Sequence, residues 1–155
     1  MDLTIDVEDY KLNIRAAAII IHNNKLLTHK DTRLNFYGLL GGRIEIGEDS
    51  KTTILREMQE EMGKEVEITG YVGTVENFFE VEGSKYHEIE IIHKAEFLKE
   101  EDKKLEQTIK NIEGKEHLQY EWVEIDKIDE YDIRPQIIKK ILKEKVFPIH
   151  GIQKD

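Results

Sequence analysis

The chain reads as an α/β protein, a mixed β-sheet sandwiched between helices, and three observations carry that expectation. Two long β-rich segments, 66–80 and 86–99, are joined by Glu82-Gly83-Ser84, which are turn residues. A capped helical pattern covers 49–62, and a second, amphipathic one covers 134–145. Strand-like and helix-like segments interleave instead of falling into two blocks, which favours helices layered on a sheet. With 155 residues, one domain spanning 1–155 is expected, large enough for a real core.

Each element follows from local chemistry. Residues 14–22 are β-branched and alanine-rich, as a buried strand requires, and Asn23-Asn24 turns the chain into a second strand over 25–29. Residues 31–38 read as a loop carrying Phe36 and Tyr37. Gly41, Gly42 and Gly47 mark places where the backbone bends sharply or approaches a neighbour. The helix over 49–62 has Asp49 or Ser50 as its cap and Gly63 as its stop. The highly charged stretch 100–114 reads as a loop with a short helix, and 118–125 alternates as a strand does. Pro135 suits the first turn of the last helix.

Composition excludes several functions. There is no cysteine, so thiol catalysis, disulfides and Cys-based zinc sites are ruled out. A formal charge of −10 argues against a sequence-independent grip on nucleic acid, yet a small phosphorylated ligand remains compatible if metal ions stand between carboxylates and phosphates. The amino terminus is acidic and lacks the basic start of a secretory signal. The longest apolar run, residues 16–21, is far short of the roughly 20 residues that span a bilayer. A cytoplasmic protein without membrane partners is therefore expected.

The most informative stretch is Gly42-Arg43-Ile44-Glu45-Ile46-Gly47-Glu48, then seven residues, then Arg56-Glu57-Met58-Gln59-Glu60-Glu61-Met62-Gly63. At ~100° per residue, Ile54, Leu55, Met58 and Met62 form one apolar arc. Glu57, Glu60 and Glu61 share an arc that borders it. Like charges about 6 Å apart repel by roughly 3 kcal/mol at an effective dielectric near 20, so three acids beside a core make sense around a divalent cation. Hard oxygen ligands without sulfur suit magnesium or manganese, which also bind diphosphate oxygens. A solvated charged face is the bland alternative, and the matched glycines and arginine weigh against it. Arg56 can pair bidentately with a loop carboxylate, fixing the loop against the helix.

This pattern resembles the Nudix box, G-x5-E-x7-R-E-U-x-E-E-x-G-U with U bulky and apolar, and departs from it only at Lys64, where the last U belongs. The resemblance implies a Nudix-type α/β/α sandwich and metal-assisted hydrolysis of a diphosphate bond in a nucleoside diphosphate linked to a moiety X. It implies Mg2+ or Mn2+ as cofactor, held by the Gly41 carbonyl, Glu57, Glu60 and Glu61. Glu57 is also a candidate general base, while Glu48 and Arg56 serve as scaffolding. Some family members take their base from a later loop, where Glu88, Glu90, Asp102, Glu106, Glu113 and Glu116 all stay open.

A small-molecule nucleotide substrate and a homodimer are the expected partners. Substrate identity stays open. No proline lies between Met1 and Arg134, so a marker of many ADP-ribose hydrolases is missing, and no tyrosine lies between Tyr71 and Tyr86, as diadenosine polyphosphate hydrolases would usually have. Leu40 replaces the proline common before the paired glycines. A nucleoside triphosphate, ordinary or oxidised, is marginally favoured. The rivals are a non-catalytic nucleotide-sensing module, against which the intact glutamates speak, and an RNA 5′-end pyrophosphohydrolase, which would need a local basic patch from Lys25, Lys30, Arg33 and Arg43.

Other motifs fall away. Gly42-x4-Gly47 has P-loop spacing, but Glu48-Asp49 stand where Lys-Ser/Thr is required. His87 and His93 are six apart on one strand face, and a structural role is favoured over zinc. Phe36, Tyr37, Phe78, Phe79 and Tyr86 are candidates for a base-stacking platform, with core packing as the alternative. Lys30, Arg33 or Arg43 could steer phosphate, with solvated surface charge the safer reading.

Overall fold

A computed structural model describes residues 1–104, 109–145 and 147–155. The strands before the first helix are β1 (Thr4–Val7), β2 (Tyr10–Ile19), β3 (Ile21–His22), β4 (Lys25–Asp31), β5 (Phe36–Gly38) and β6 (Leu40–Arg43). Helix α1 (Ser50–Met62) follows, then β7 (Val66–Val81), β8 (Ser84–Phe97), β9 (Ile109–Lys110) and β10 (Leu118–Glu124), and finally α2 (Ile137–Glu144) and β11 (Ile149–Lys154).

One sheet runs β1-β2-β8-β7-β11, and β6 joins it by pairing with β2. The β2–β8 and β7–β11 pairs are parallel and the others antiparallel, so the sheet is mixed as expected. A second sheet, β3-β4-β10-β9 with β5 against β4, completes the strands. Side chains on β2 alternate between two cores. Ala16, Ala18 and Ile20 pack with Ile54, Met58 and Met62 of α1. Ala17 and Ile19 pack with Ile138, Ile141 and Leu142 of α2. The helices thus cover opposite faces of one sheet, giving the α/β/α layering.

Helix α1 starts where the Asp49 carboxylate accepts from the Thr52 amide at 2.8 Å, and it stops at Gly63, whose φ of 64° is the left-handed conformation glycine favours. Its buried arc is rotated from the expected one. Thr53 and Glu61 are buried with Ile54, Met58 and Met62, while Leu55 is 43% exposed. The β7–β8 hairpin turns on Glu82 and Gly83, both with positive φ, the geometry whose twist matches flanking strands.

Five strands go beyond the sequence expectation. Residues 36–38, read as loop, form β5, and Ile109–Lys110, within the stretch read as loop with a short helix, form β9 by pairing with β10; β6 is half glycine and lacks strand propensity; β1 and β11 lie in short polar stretches. The last helix begins three residues later than expected because the Arg134 amide donates to the Tyr37 carbonyl at 2.9 Å, which commits it to a different direction. No described helix is long and apolar enough to cross a membrane.

Candidate active site

The loop between β6 and α1 is fastened to the helix by one arginine. Arg56 Nε donates to Glu48 Oε2 at 2.8 Å and Nη2 donates to Glu48 Oε1 at 2.9 Å, the bidentate pairing anticipated from the spacing. Thr53 Oγ1 and the Glu45 amide also donate to Glu48. These donors, Arg56 foremost, hold the Glu48 carboxyl down to about 2. The remaining amino group of Arg56 reaches Glu57 at 3.0 Å and Glu60 at 3.1 Å, and Nη2 also meets the Arg43 carbonyl. One guanidinium therefore orients three of the four box acids and glycine-loop backbone at once.

Glu57 lies across Gly42, where a Cβ would overlap its carboxylate, so the glycine is needed for close approach. At Gly41, with φ of 155°, a Cβ would run into the Ala16 carbonyl oxygen. Burial, and then the neighbouring Glu61, pushes the Glu57 carboxyl up to about 7 even though Arg56 pulls the other way.

Oxygens of Glu57, Glu60 and Glu113 all lie within 4.8 Å of one another. Glu113 comes from the loop between β9 and β10. Of the five later acids among the described residues that the sequence left open, it is the one gathered to the box glutamates. Asp102 is taken by Lys64 at 3.1 Å, and Lys64 also lies over the Phe97 ring, which shows how a lysine is accommodated at the box position that is usually apolar. Glu116 is exposed, Glu88 and Glu90 line a separate cleft described below, and Glu106 falls in 105–108, outside the described residues.

Glu61 takes a different position from its two box neighbours. It is 9% exposed and accepts from Tyr120 Oη at 3.0 Å; that oxygen in turn accepts from Asn111 Nδ2 at 2.9 Å. Asn111 Oδ1 accepts the Glu113 and Lys115 amides, and the Ile112 amide donates to the Glu61 carbonyl at 2.9 Å. The network ties the loop carrying Glu113 to the end of α1. Burial raises both the Glu61 carboxyl and the Tyr120 phenol above their usual ranges. Tyr120 and Asn111 were not singled out from sequence, because a tyrosine in an alternating strand gives no sign of what its hydroxyl will meet.

On the α2 side of the sheet a cleft of about 230 Å³ is lined by Arg15, Phe36, Asn77, Phe79, Glu88 and Glu90 among others. Arg15 Nη2 donates to the Leu39 carbonyl at 2.9 Å, two residues before Gly41. Burial raises the Glu90 carboxyl, as it does that of Glu61, and the charge of Arg15, which stands opposite Glu90 across the strands, opposes both shifts. Phe36 and Phe79 of the aromatic candidates reach this cleft; Tyr37 packs edge-on against Tyr131, and Phe78 against His87. His93 is bound to Ser50 at 2.8 Å, away from His87, in keeping with structural roles for both. Arg33 is engaged by Asp31, Arg43 by Asp2 and Lys30 by the Tyr37 ring.

Comparison with known proteins agrees with this architecture. The family model described as the NUDIX domain matches residues 12–144. The MutT protein of Methanosarcina mazei Go1 superposes with a TM-score of 0.63 at 21% identity, over 90% of this chain and 95% of that one. The mutator MutT protein of Bacillus halodurans gives 0.63 at 20%, over 90% and 85%. A Nudix hydrolase from Nitrosomonas europaea gives 0.60 at 19%, over 87% and 88%. These likenesses bear on the fold. No curated protein matches the sequence. With the family model spanning most of its length and every charged position of the box in place, the chain belongs to the Nudix hydrolases, enzymes of nucleoside diphosphate derivatives.

Proposed function

We propose that the protein hydrolyses a diphosphate bond in a small nucleotide, a nucleoside diphosphate linked to a moiety X, with Mg2+ or Mn2+ as cofactor. The observation that carries this reading is the convergence of Glu57, Glu60 and Glu113 oxygens within 4.8 Å of one another beside the paired glycines. The donor set fits such an ion. It is all oxygen, Glu60 and Glu113 are open to solvent, and the acids repel one another unless a cation lies among them. Glu57, Glu60 and Glu113 would hold the ion, with the Gly41 carbonyl and Glu61 as the further ligands the family implies. When bound, the ion neutralises charge on the diphosphate and polarises a phosphoryl oxygen.

The chain's own residues supply the rest. Glu57, seated over Gly42 and oriented by Arg56, is the candidate base that accepts the proton of the attacking water. The water oxygen bonds to phosphorus as the bridging P–O bond breaks, leaving two phosphorylated products. Arg56 keeps Glu57 and Glu60 in place, and Glu48 keeps Arg56 in place. A nucleoside triphosphate is the favoured substrate, with X then a phosphate.

The test is hydrolysis of a nucleotide panel with magnesium or manganese, products identified by mass, for wild type beside Glu57→Gln. Metal-dependent cleavage should fall by about a hundredfold or more in the variant, with the fold retained. Full activity in the folded variant would remove Glu57 and its helix from the chemistry. Absence of any cleavage by wild type would leave nucleotide sensing as the better reading.

A further inference from the structure

We propose that Glu88 and Glu90 are specificity-determining residues that select a nucleobase bearing an exocyclic amino group, guanine over hypoxanthine in particular. The inference rests on the reading of the protein as a nucleotide hydrolase, and adds which base it takes.

Strand register sets the two acids in a polar floor. Asn13, Glu88 and Asn77 stand in one row across β2, β8 and β7, and Arg15 and Glu90 stand in the next row. Positions two apart on a strand share a face, so both rows present together. Glu90 is 2% exposed, Glu88 8%, Asn77 5% and Asn13 4%. Such burial normally comes with a partner. Here the amide oxygens of Asn77 and Asn13 have none, and neither carboxylate makes a side-chain hydrogen bond to a described residue. Asn77, Glu88 and Glu90 all line the cleft.

The capacity that faces the cleft is that of the two carboxylates, which are acceptors, so the ligand must bring donors. Arg15 beside Glu90 disfavours a bare cation. The walls are aromatic: Phe79 lies parallel to Tyr86 with centroids 4.9 Å apart, and Phe36 is backed by Arg134 at 4.8 Å. Aromatic walls over a floor of acceptors match a flat ring with N–H groups along one edge. Guanine offers its ring N–H and its amino group side by side to a single carboxylate. Hypoxanthine lacks the amino group, and uracil turns a carbonyl oxygen towards the acids. A buried acceptor left unmet costs about 1–3 kcal/mol, which is the source of discrimination.

The experiment is calorimetric binding of GMP and IMP to wild type, Glu88→Gln and Glu90→Gln, with magnesium present and thermal melting as the check on folding. Wild type should bind GMP roughly tenfold to a hundredfold more tightly than IMP. At least one variant should bring the ratio to within about twofold, because an amide offers one acceptor where the carboxylate offers two. Equal binding of GMP and IMP by wild type, no binding of either, or an unchanged ratio in both folded variants would overturn the proposal. A variant that fails to fold leaves the wild-type ratio to decide. Hydrolysis of both triphosphates without amino-group preference would refute this inference and leave the hydrolase reading intact. GMP-selective binding without hydrolysis of any nucleotide would do the reverse.

Discussion

Two groups of carboxylates sit beside the two cores of this protein, and they are treated in opposite ways. On α1, Glu48, Glu57 and Glu60 share one guanidinium, Glu48 gathers further donors, and Glu61 is capped by a tyrosine. On β8, Glu88 and Glu90 are more deeply buried than Glu48, Glu57 or Glu60, yet they have an arginine near them and no hydrogen-bond donor among the described residues. The first group is held ready by the chain itself. The second is left to be completed by something that enters the cleft. Catalysis needs acids fixed before the substrate arrives, whereas recognition needs capacity that only the right substrate fills.

Arg56→Ala breaks the contrast most severely. It should leave Glu48 and Glu57 without their shared partner, lowering unfolding stability by about 3 kcal/mol and activity with it. Urea unfolding monitored at Trp122, beside hydrolysis rates, measures both. Glu48→Gln and Glu90→Gln sharpen the contrast, because the same change should have opposite signs. The first removes charge from a saturated pair and should cost about 1–2 kcal/mol; the second removes an unmatched buried charge and should be neutral or stabilising by a similar amount.

The pH dependence separates these two acids further. Glu48 lies below its ordinary 4.5, so its contribution is full above that value and lost as pH falls towards 2. Glu90 lies above its ordinary value because of burial and then Glu88, so its penalty on folding grows as pH rises past 4.5. The advantage of Glu90→Gln over wild type in thermal melts should therefore be larger at about pH 8 than at about pH 5. The smallest effect is expected from Asp49→Ala, which removes the cap of α1 and should cost about 1 kcal/mol by the same melts with little change at β8.

Legibility in the sequence followed the same divide. The Arg56–Glu48 pairing, the Asp49 cap, the Gly63 stop and the crowding at Gly42 could all be reasoned out, since the residues lie within one loop and one helix and fixed geometry converts spacing into position. Layering was legible through the alternation and length of the segments around β2, β7 and β8. The rest depends on strand pairing between distant residues. Nothing local says that Asn13 will stand beside Glu88, that Glu113 will approach Glu57, or that Tyr120 will meet Glu61. Leu55 failed for a related reason: the helix rolls to bury Thr53 and Glu61, a choice made by the neighbouring strands. The short strands β1, β5, β6 and β11 form because partners are waiting, with little help from their own composition.

The three consecutive alanines of β2 bear on how the chain folds. Ala16, Ala17 and Ala18 are identical in size, so sliding the strand by one position against β8 would go unnoticed at its centre, while exchanging which residues face which helix. Correct alignment must be read at the ends, by Asn13 and Arg15 on one side and Ile19 and Ile20 on the other. The partners on β8 are also remote in the chain, Tyr10 meeting Lys85 and Ile19 meeting Lys94, and a parallel pair has no tight turn to dictate its alignment. Pairings of that kind close late. The β7–β8 hairpin and α1 can form early from nearby residues, and the docking of β2 then brings Arg15 to Glu90 and Gly42 to Glu57, so both groups of acids acquire their final neighbours in the same slow event.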